Sequence, residues 1–231
     1  MWQVLDTGRK SAAENMRLDA EMLQTLRDRP ILHFYEWERE SITYGYFVRP
    51  YEHLRQEGVE KRGMDIARRP TGGGIVFHSW DLAFSVLVPS SHPRYSQKPL
   101  DNYIFINRAV LLAVRQFLQH RDALALISED AVAWSDPCRR FCMARPTQYD
   151  VVWEGRKVAG AAQRRGRGGF LHQGTIALLM PPEAALKELL REGSVRDAIR
   201  AHTFPLLGAE GNLEEARTQL KEQLEAQLTI L

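Results

Sequence analysis

Residues 68–85, RRPTGGGIVFHSWDLAFS, place Arg68, Arg69 and Thr71 directly before three consecutive glycines, Gly72, Gly73 and Gly74. Three glycines are costly in backbone entropy, and a strand has little use for them. They suit a main chain that turns sharply, or one that lies too close to another molecule for any Cβ. Free N–H groups in such a loop can cradle a phosphate or a carboxylate, and the two arginines add fixed positive charge. A glycine-rich hairpin beside two solvated arginines accounts for the same letters.

Lys157 is the second candidate. It stands between Gly155 and Gly160 with Val158 and Ala159 beside it. An ammonium in that setting can reach a bound anion or a developing oxyanion; as a plain hairpin lysine it would snorkel to water. Gly160, Ala161 and Ala162 leave one side of this segment nearly bare, which invites something to pack against backbone. His172, Gln173 and Gly174 can form a polar wall, or His172 can be a satisfied structural residue. Cys142 has Arg139, Arg140 and Arg145 close in sequence. Cationic neighbours favour the thiolate that nucleophilic catalysis needs, although a single cysteine also serves as a small buried apolar residue. Cys138 follows Asp-Pro in a turn, and C-x3-C without a second pair is poor zinc spacing, so no metal is expected. Arg164, Arg165 and Arg167 form a dense cationic turn that is either solvated or docks an acidic partner protein.

These residues need a scaffold, and the chain's bulk properties bound it. The chain has 231 residues, 44% of them apolar, with 31 basic against 29 acidic residues and a formal charge of +2. That near-neutral balance argues against a nucleic-acid partner despite the short RRGRGG run. Residues 1–10 have no apolar core after a basic start, and no run reaches the ~18 apolar residues of a membrane span. A cytoplasmic protein without a membrane partner is expected, with both thiols reduced.

The elements follow from periodicity. Residues 11–29 read as a helix, with Ser11 as N-cap and Glu14 completing a capping box. Residues 31–37 and 41–47 read as strands joined by the charged turn Glu38-Arg39-Glu40, and 51–61 as a short helix. Residues 82–88, LAFSVLV, read as a buried strand. A helix over 102–119 carries Ile106, Val110 and Val114 on its apolar face. A strand over 123–127, a hairpin of 149–153 with 157–163, and a strand over 170–180 follow. Helices over 184–191 and from Leu213 to Leu228 end the chain. With no internal repeat and no long linker, the expected fold is a single α+β domain over 1–231: a mixed, largely antiparallel sheet flanked by helices, with residues 183–231 part of it.

Several stretches together resemble one family, the catalytic domain shared by lipoate–protein ligases, octanoyltransferases and biotin–protein ligases. LDTG at 5–8, AAENMRLD at 12–19 and FYEW at 34–37 resemble its opening. RRPTGGGIVFH at 68–78 is similar to its acyl- and nucleotide-binding loop, DVVWEGRKVAGAAQRR at 150–165 to its strand pair with the essential lysine, and LHQGTI at 171–176 to its LHHGS-type strand. The resemblance implies a medium-chain acyl group held in a tunnel between the glycine loop and the lysine strand. Lys157 then binds the acyl carbonyl or an acyl-adenylate phosphate. Gly72, Gly73 and Gly74 lie along the chain, and Arg69, Thr71, His78, Gly160, Ala161, His172 and Gly174 line the pocket.

The resemblance also implies protein lipoylation: transfer of an octanoyl or lipoyl group to a lysine of a lipoyl domain, in a 2-oxoacid dehydrogenase acyltransferase subunit or a glycine cleavage H protein. In the octanoyltransferase branch a cysteine precedes the Y-D/E-L-V strand, and Cys142 stands seven residues before Tyr149. That branch takes octanoyl from an acyl carrier protein onto the thiol, with no permanently bound cofactor. Gly74 departs from the arginine often found at the third glycine of transferases and resembles the ATP-dependent ligases, which would require ATP and Mg. About 50 residues follow Pro181, too few for the accessory domain of the larger ligases. The transferase, with Cys142 as nucleophile, is the leading expectation and the ligase the alternative. A paralogue that only binds lipoyl or carrier domains, and an RNA-binding module using Arg164–Arg167, are disfavoured by the intact lysine and glycine loop and by the mild net charge.

Overall fold

A run as apolar as residues 82–88 is stable only when both of its faces are covered. In the computed structural model, which describes residues 1–119, 123–208 and 211–230, this run lies in β6 (Asp81–Pro89), and every residue of β6 is buried. It pairs antiparallel with β2 (Ile31–Trp37) on one side and β10 (Gly169–Ala177) on the other. Strands β1 (Gln3–Lys10), β7 (Leu124–Leu126), β8 (Val151–Trp153) and β9 (Arg156–Arg165) complete the main sheet. Among the described residues it has seven strands, in the order β1-β2-β6-β10-β9-β8-β7. The β1–β2 pair is parallel and the other pairs are antiparallel. A smaller sheet, β4-β3-β5, is built from β3 (Ser41–Tyr44), β4 (Asp65–Arg68) and β5 (Ile75–His78).

Helices cover both sheets. Helix α3 (Pro99–Phe117) and the C-terminal helix pack together on the main sheet: Ile106, Val110 and Val114 meet Leu220, Leu224, Phe84 and Ile176 in one core cluster. Helix α1 (Ala12–Thr25) places Ala12 and Met16 against Tyr35 and Trp37. Helix α2 (Gln56–Lys61) follows β3. Helices α4 (Glu183–Leu189) and α5 (Gly193–His202) enclose Ile42, Ile75, Phe77 and Phe141 in a second cluster, and α6 (Leu213–Thr229) ends the chain. Among the described residues no helix is long and apolar enough to cross a membrane.

The α+β class and the largely antiparallel sheet match the expectation, with one difference of topology. The strands expected around Glu38-Arg39-Glu40 do not pair with each other: β2 lies in the main sheet and β3 in the small one. A two-residue hairpin needs left-handed backbone, which Gly, Asn or Asp supplies; the charged turn has none, whereas Glu154 and Gly155 (φ 49° and 76°) supply it at the β8–β9 hairpin. β3 also stops at Tyr44, because Gly45 N turns to donate to Gly74 O (3.2 Å). Two elements carried no clear signal. β1 alternates poorly between polar and apolar residues. α5 buries only Val195, Ala198 and Ile199.

The capping box at the start of α1 is complete: Glu14 N donates to Ser11 Oγ, and Ser11 N to Glu14 Oε2, each at 3.3 Å. Substituting Ser11→Ala should lower stability by about 1 kcal/mol. The urea midpoint should fall while the slope of the transition stays unchanged.

Candidate active site

The glycine loop hangs between β4 and β5, and a buried arginine stitches it from within. Arg69, 5% exposed, donates through Nη1 to Thr43 Oγ1 (2.8 Å) and through Nη2 to the carbonyls of Gly72 (3.1 Å) and Gly74 (2.6 Å). Burial pushes the pKa of this guanidinium down, and the neighbouring Cys142 thiol acts in the opposite sense. Thr71 Oγ1 holds the other side of the loop by donating to Gln173 Oε1 (2.7 Å). Gly74 N then faces Cys142 Sγ and donates to it at 3.2 Å. A Cβ on Gly74 would lie 2.4 Å from the carbonyl oxygen of Arg140, so local packing alone demands glycine there.

Two buried aspartate–histidine pairs brace this loop. His78 Nδ1 donates to Asp81 Oδ2 (2.6 Å), while its Nε2 shares a hydrogen bond with Thr43 Oγ1 (2.7 Å), the hydroxyl that receives Arg69. Trp37 stacks on the His78 ring at 4.2 Å. Burial raises the Asp81 carboxyl pKa, but the charge and hydrogen bond of His78 and the Thr175 hydroxyl outweigh it, and the net shift is downward. The second pair is Asp19 and His33 (2.9 Å); Asp19 also accepts from Gln173 Nε2 (2.6 Å), the amide that holds Thr71.

Lys157 owes its direction to a β-bulge. Val151 pairs with Ala159 and Val152 with Lys157, which leaves Val158 as the extra residue. The bulge puts Lys157 and Gly160 on one face although they stand three positions apart. The Lys157 side chain crosses Gly160 so closely that a Cβ there would lie 2.2 Å from Lys157 Cε. Its Nζ, on a side chain that is 4% exposed, meets Asp150 Oδ2 at 2.7 Å and donates to Cys142 O at 2.8 Å. Burial raises the Asp150 carboxyl pKa, while Lys157 and the Thr147 N–H and hydroxyl act against it. Of the ammonium's three donors, one remains for a further acceptor.

The loop and the lysine meet at two spaces. A narrow slot runs inward among Met16, Tyr35, Trp37, Val76, Ala161 and Gly174, and Cys142 lines it. An open cleft of about 930 Å³ lies outside, walled by Gly72, Gly73, Gly74, Arg139, Arg140 and Lys157, and Cys142 lines this too. The thiol therefore stands at the junction of an apolar space and a cationic one. Cys138 points elsewhere: it is wholly buried in the second core, with its thiol against Ser135 Oγ (3.1 Å).

Lys157, Cys142, Arg69, Thr71, the three glycines, His78, Gly160, Ala161 and Gly174 are thus brought together around these spaces. His172 is not. Side chains alternate along a strand, so Gln173 and Thr175 reach the slot while His172 faces α3, beside Tyr103 and Phe84. Its Nδ1 meets Gln163 Nε2 (2.8 Å) and its Nε2 has no hydrogen-bond partner among the described residues. Arg164, Arg165 and Arg167 are exposed at the β9–β10 turn. Arg164 Nη1 donates to Pro70 O (3.2 Å), and Arg165 Nη1 to Gln97 O (3.1 Å). Gln173 was singled out only as part of a polar wall, and Thr43, Asp81, Asp150 and Thr175 were missed as site residues, since each is an ordinary letter in or beside an ordinary strand. Only the placing of Asp150 seven residues before Lys157, at the hairpin entry, could have marked one of them.

A slot lined largely by apolar side chains that ends at a thiol, beside a buried ammonium and a glycine loop, suits a protein that handles acyl groups. Within that class the chain belongs to the lipoyl protein ligase A/B catalytic domain family, whose model matches residues 11–204. It is 32% identical over 213 residues to "Octanoyltransferase LipM" of Anoxybacillus flavithermus, covering 86% of this chain and 77% of that protein. It is 30% identical to the protein of the same name from Bacillus subtilis, covering 99% of this chain and 87% of the other. The fold is shared with lipoate-protein ligase A bound with ATP, at a TM-score of 0.73 and 22% identity over 99% of this chain and 85% of that one. It is also shared with the bi-partite lipoate protein ligase of Thermoplasma acidophilum, at a TM-score of 0.72 and 22% identity over 99% and 84% of the two chains.

Burial pushes the His172 imidazole down to about 3, whereas the same group in an unfolded chain takes its proton near 6.5. Between those values the unfolded state binds more protons, so stability is intact above pH ~6.5 and falls as the pH drops toward 3. Substituting His172→Leu should flatten that part of the profile. Urea midpoints at pH 7 and pH 4.5 should lie closer together in the variant than in the wild type.

Proposed function

We propose that this enzyme transfers octanoyl from an acyl carrier protein to a lysine of a lipoyl domain through a thioester on Cys142. The position of Cys142 Sγ carries the reading: it lies where the apolar slot meets the cationic cleft and receives the Gly74 N–H. The octanoyltransferase names of the relatives support the same substrate class. The octanoyl tail occupies the slot, and the carrier's arm enters by the cleft. The sulfur of Cys142 attacks the thioester carbonyl. The new S–C bond forms as the carrier's S–C bond breaks, and the cysteine's proton ends on the departing carrier thiol. A neutral lysine amine of the lipoyl domain then attacks the enzyme thioester; the amide forms and Sγ regains a proton. The free donor of Lys157 stabilises the oxyanion in both steps, and Asp150 and Gly160 hold that lysine in place. Arg69, Thr71 and His78 act at one remove by fixing the loop.

Residues 183–231 belong to the same catalytic unit in this reading, since α5 packs on the turns that carry Cys142 and α6 closes the main core. A ligase that joins the free acid to ATP, with Mg, is the second reading. The cationic lining of the outer cleft, Arg139, Arg140 and Lys157, favours it, because such a wall also suits a phosphate.

One experiment separates them. Mixed with octanoyl carrier protein and no acceptor, the enzyme should gain one octanoyl mass that hydroxylamine removes. Cys142→Ser should slow transfer by orders of magnitude, Lys157→Ala by about 10²–10³-fold, and Cys138→Ser should be nearly silent. A Cys142→Ser enzyme that modifies its target at full rate from free acid and ATP would establish the ligase instead.

Arg164, Arg165 and Arg167 are proposed to dock the acidic protein substrate. Replacing all three by Gln should raise KM for that substrate several-fold and flatten its salt dependence. An unchanged KM at low salt would place docking elsewhere.

A further inference from the structure

Val76 and Thr175 line two spaces at once. One is the slot described above. The other is a second, small and partly open cavity lined by Phe77, Phe141, Met143, Ala177, Leu179 and Ile199. Its few polar members are already paired. Thr175 Oγ1 donates to Asp81 Oδ2 (2.6 Å), Asp81 also receives His78, and Thr203 Oγ1 donates to Met143 O (3.0 Å). A cavity whose polar groups are satisfied from within offers water no partner and suits an alkyl chain.

The two shared residues differ in what they can give up. The Thr175 hydroxyl is committed to Asp81, so its removal would loosen the brace behind the glycine loop. The Val76 side chain makes no hydrogen bond; its backbone pairs with Thr43, and its methyls only divide the spaces. We propose that the second cavity is a distal acyl subsite, shut off by Val76, and that Val76 sets the acyl chain length the enzyme accepts. The inference rests on the acyl reading of the slot. It does not depend on which of the two reactions the enzyme performs. An eight-carbon tail ends at the Val76 wall, and a longer chain is refused there although apolar space lies behind it.

Binding of the free acids tests this without any chemistry, so it is judged separately from the thioester on Cys142. Affinities for hexanoate, octanoate and dodecanoate are measured by titration calorimetry on the wild type and three variants. Each methylene that gains an apolar wall is worth about fourfold in affinity. Val76→Ala should therefore raise the ratio of dodecanoate to octanoate affinity by about tenfold or more. Adding Ala177→Val, which narrows the second cavity at another lining position, should return the ratio toward the wild-type value. Val76→Leu, which pushes the wall into the slot, should shift preference toward hexanoate and serves also if Val76→Ala fails to fold. A chain-length preference that stays the same in both Val76 variants overturns the proposal. A gain in Val76→Ala that Ala177→Val leaves in place does so too, because the chain would then occupy room made in the first slot.

Discussion

The site depends on the orientation of one peptide plane, that between Gly73 and Gly74. A trans peptide is flat, so its carbonyl and its N–H point in opposite directions. The Gly73 carbonyl is driven against Gly45, where a Cβ would lie 2.0 Å from the oxygen. The opposite end of the plane, Gly74 N, then has to face Cys142. Arg69 holds the plane from both sides by donating to the carbonyls of Gly72 and Gly74. An arginine is the one side chain whose planar fork reaches two carbonyls and a hydroxyl at the same time and keeps its charge while buried. A lysine in its place would leave at least one carbonyl facing inward unpaired, at a cost of about 1–3 kcal/mol.

Burying that cation requires compensation, which explains why so much of the interior here is polar. The Arg69 charge is met by carbonyl and hydroxyl oxygens rather than by a carboxylate. The Thr43 hydroxyl passes the connection on to His78 and then to Asp81, whose backbone carbonyl in turn receives Arg217 Nε from α6 (3.0 Å). The C-terminal helix is thereby linked to the glycine loop through five side chains, Arg217, Asp81, His78, Thr43 and Arg69. A half-satisfied network of this kind costs more than an apolar core. Its members therefore constrain one another, and the slot beside them keeps a fixed shape.

The sequence displayed some of this and concealed the rest, for reasons that lie in the physics of each residue. Three glycines in a row, a lysine among small residues and a cysteine among arginines are unusual combinations, so they stood out. Asp81 and Thr43 are common letters in strands; what makes them part of the site is a partner brought near only by folding, Thr175 lying 94 positions from Asp81 and Arg69 lying 26 from Thr43. The period of two could have excluded His172 from the slot once Gln173 was placed there, but nothing in the letters says which face of β10 looks inward when both faces are buried. The bulge at Val158 is equally silent: it adds a residue to β9 without any glycine at the bulge itself. The division into two sheets followed from a turn that lacks left-handed residues, a negative signal that alternating apolar strands on either side easily mask.

Gly74 shows how a local constraint can imitate a functional one. At the level of sequence it tilted the comparison toward the ligases. In the structure, its Cβ direction is occupied by the Arg140 carbonyl, on the turn that leads into Cys142. The glycine therefore belongs to the packing of the cysteine-bearing segment against the loop, and it is required whichever reaction follows. What bears on the reaction is the boundary that this packing creates. In the proposed reaction the apolar slot would retain a hydrocarbon tail by burial, at about 0.8 kcal/mol per methylene, while the open cationic cleft would hold polar groups only through interactions that water and salt weaken. A group attached at the junction would keep its tail and release whatever had delivered it. That asymmetry is what a two-step transfer through a single thiol needs, because the first partner has to leave before the second can approach the same carbon.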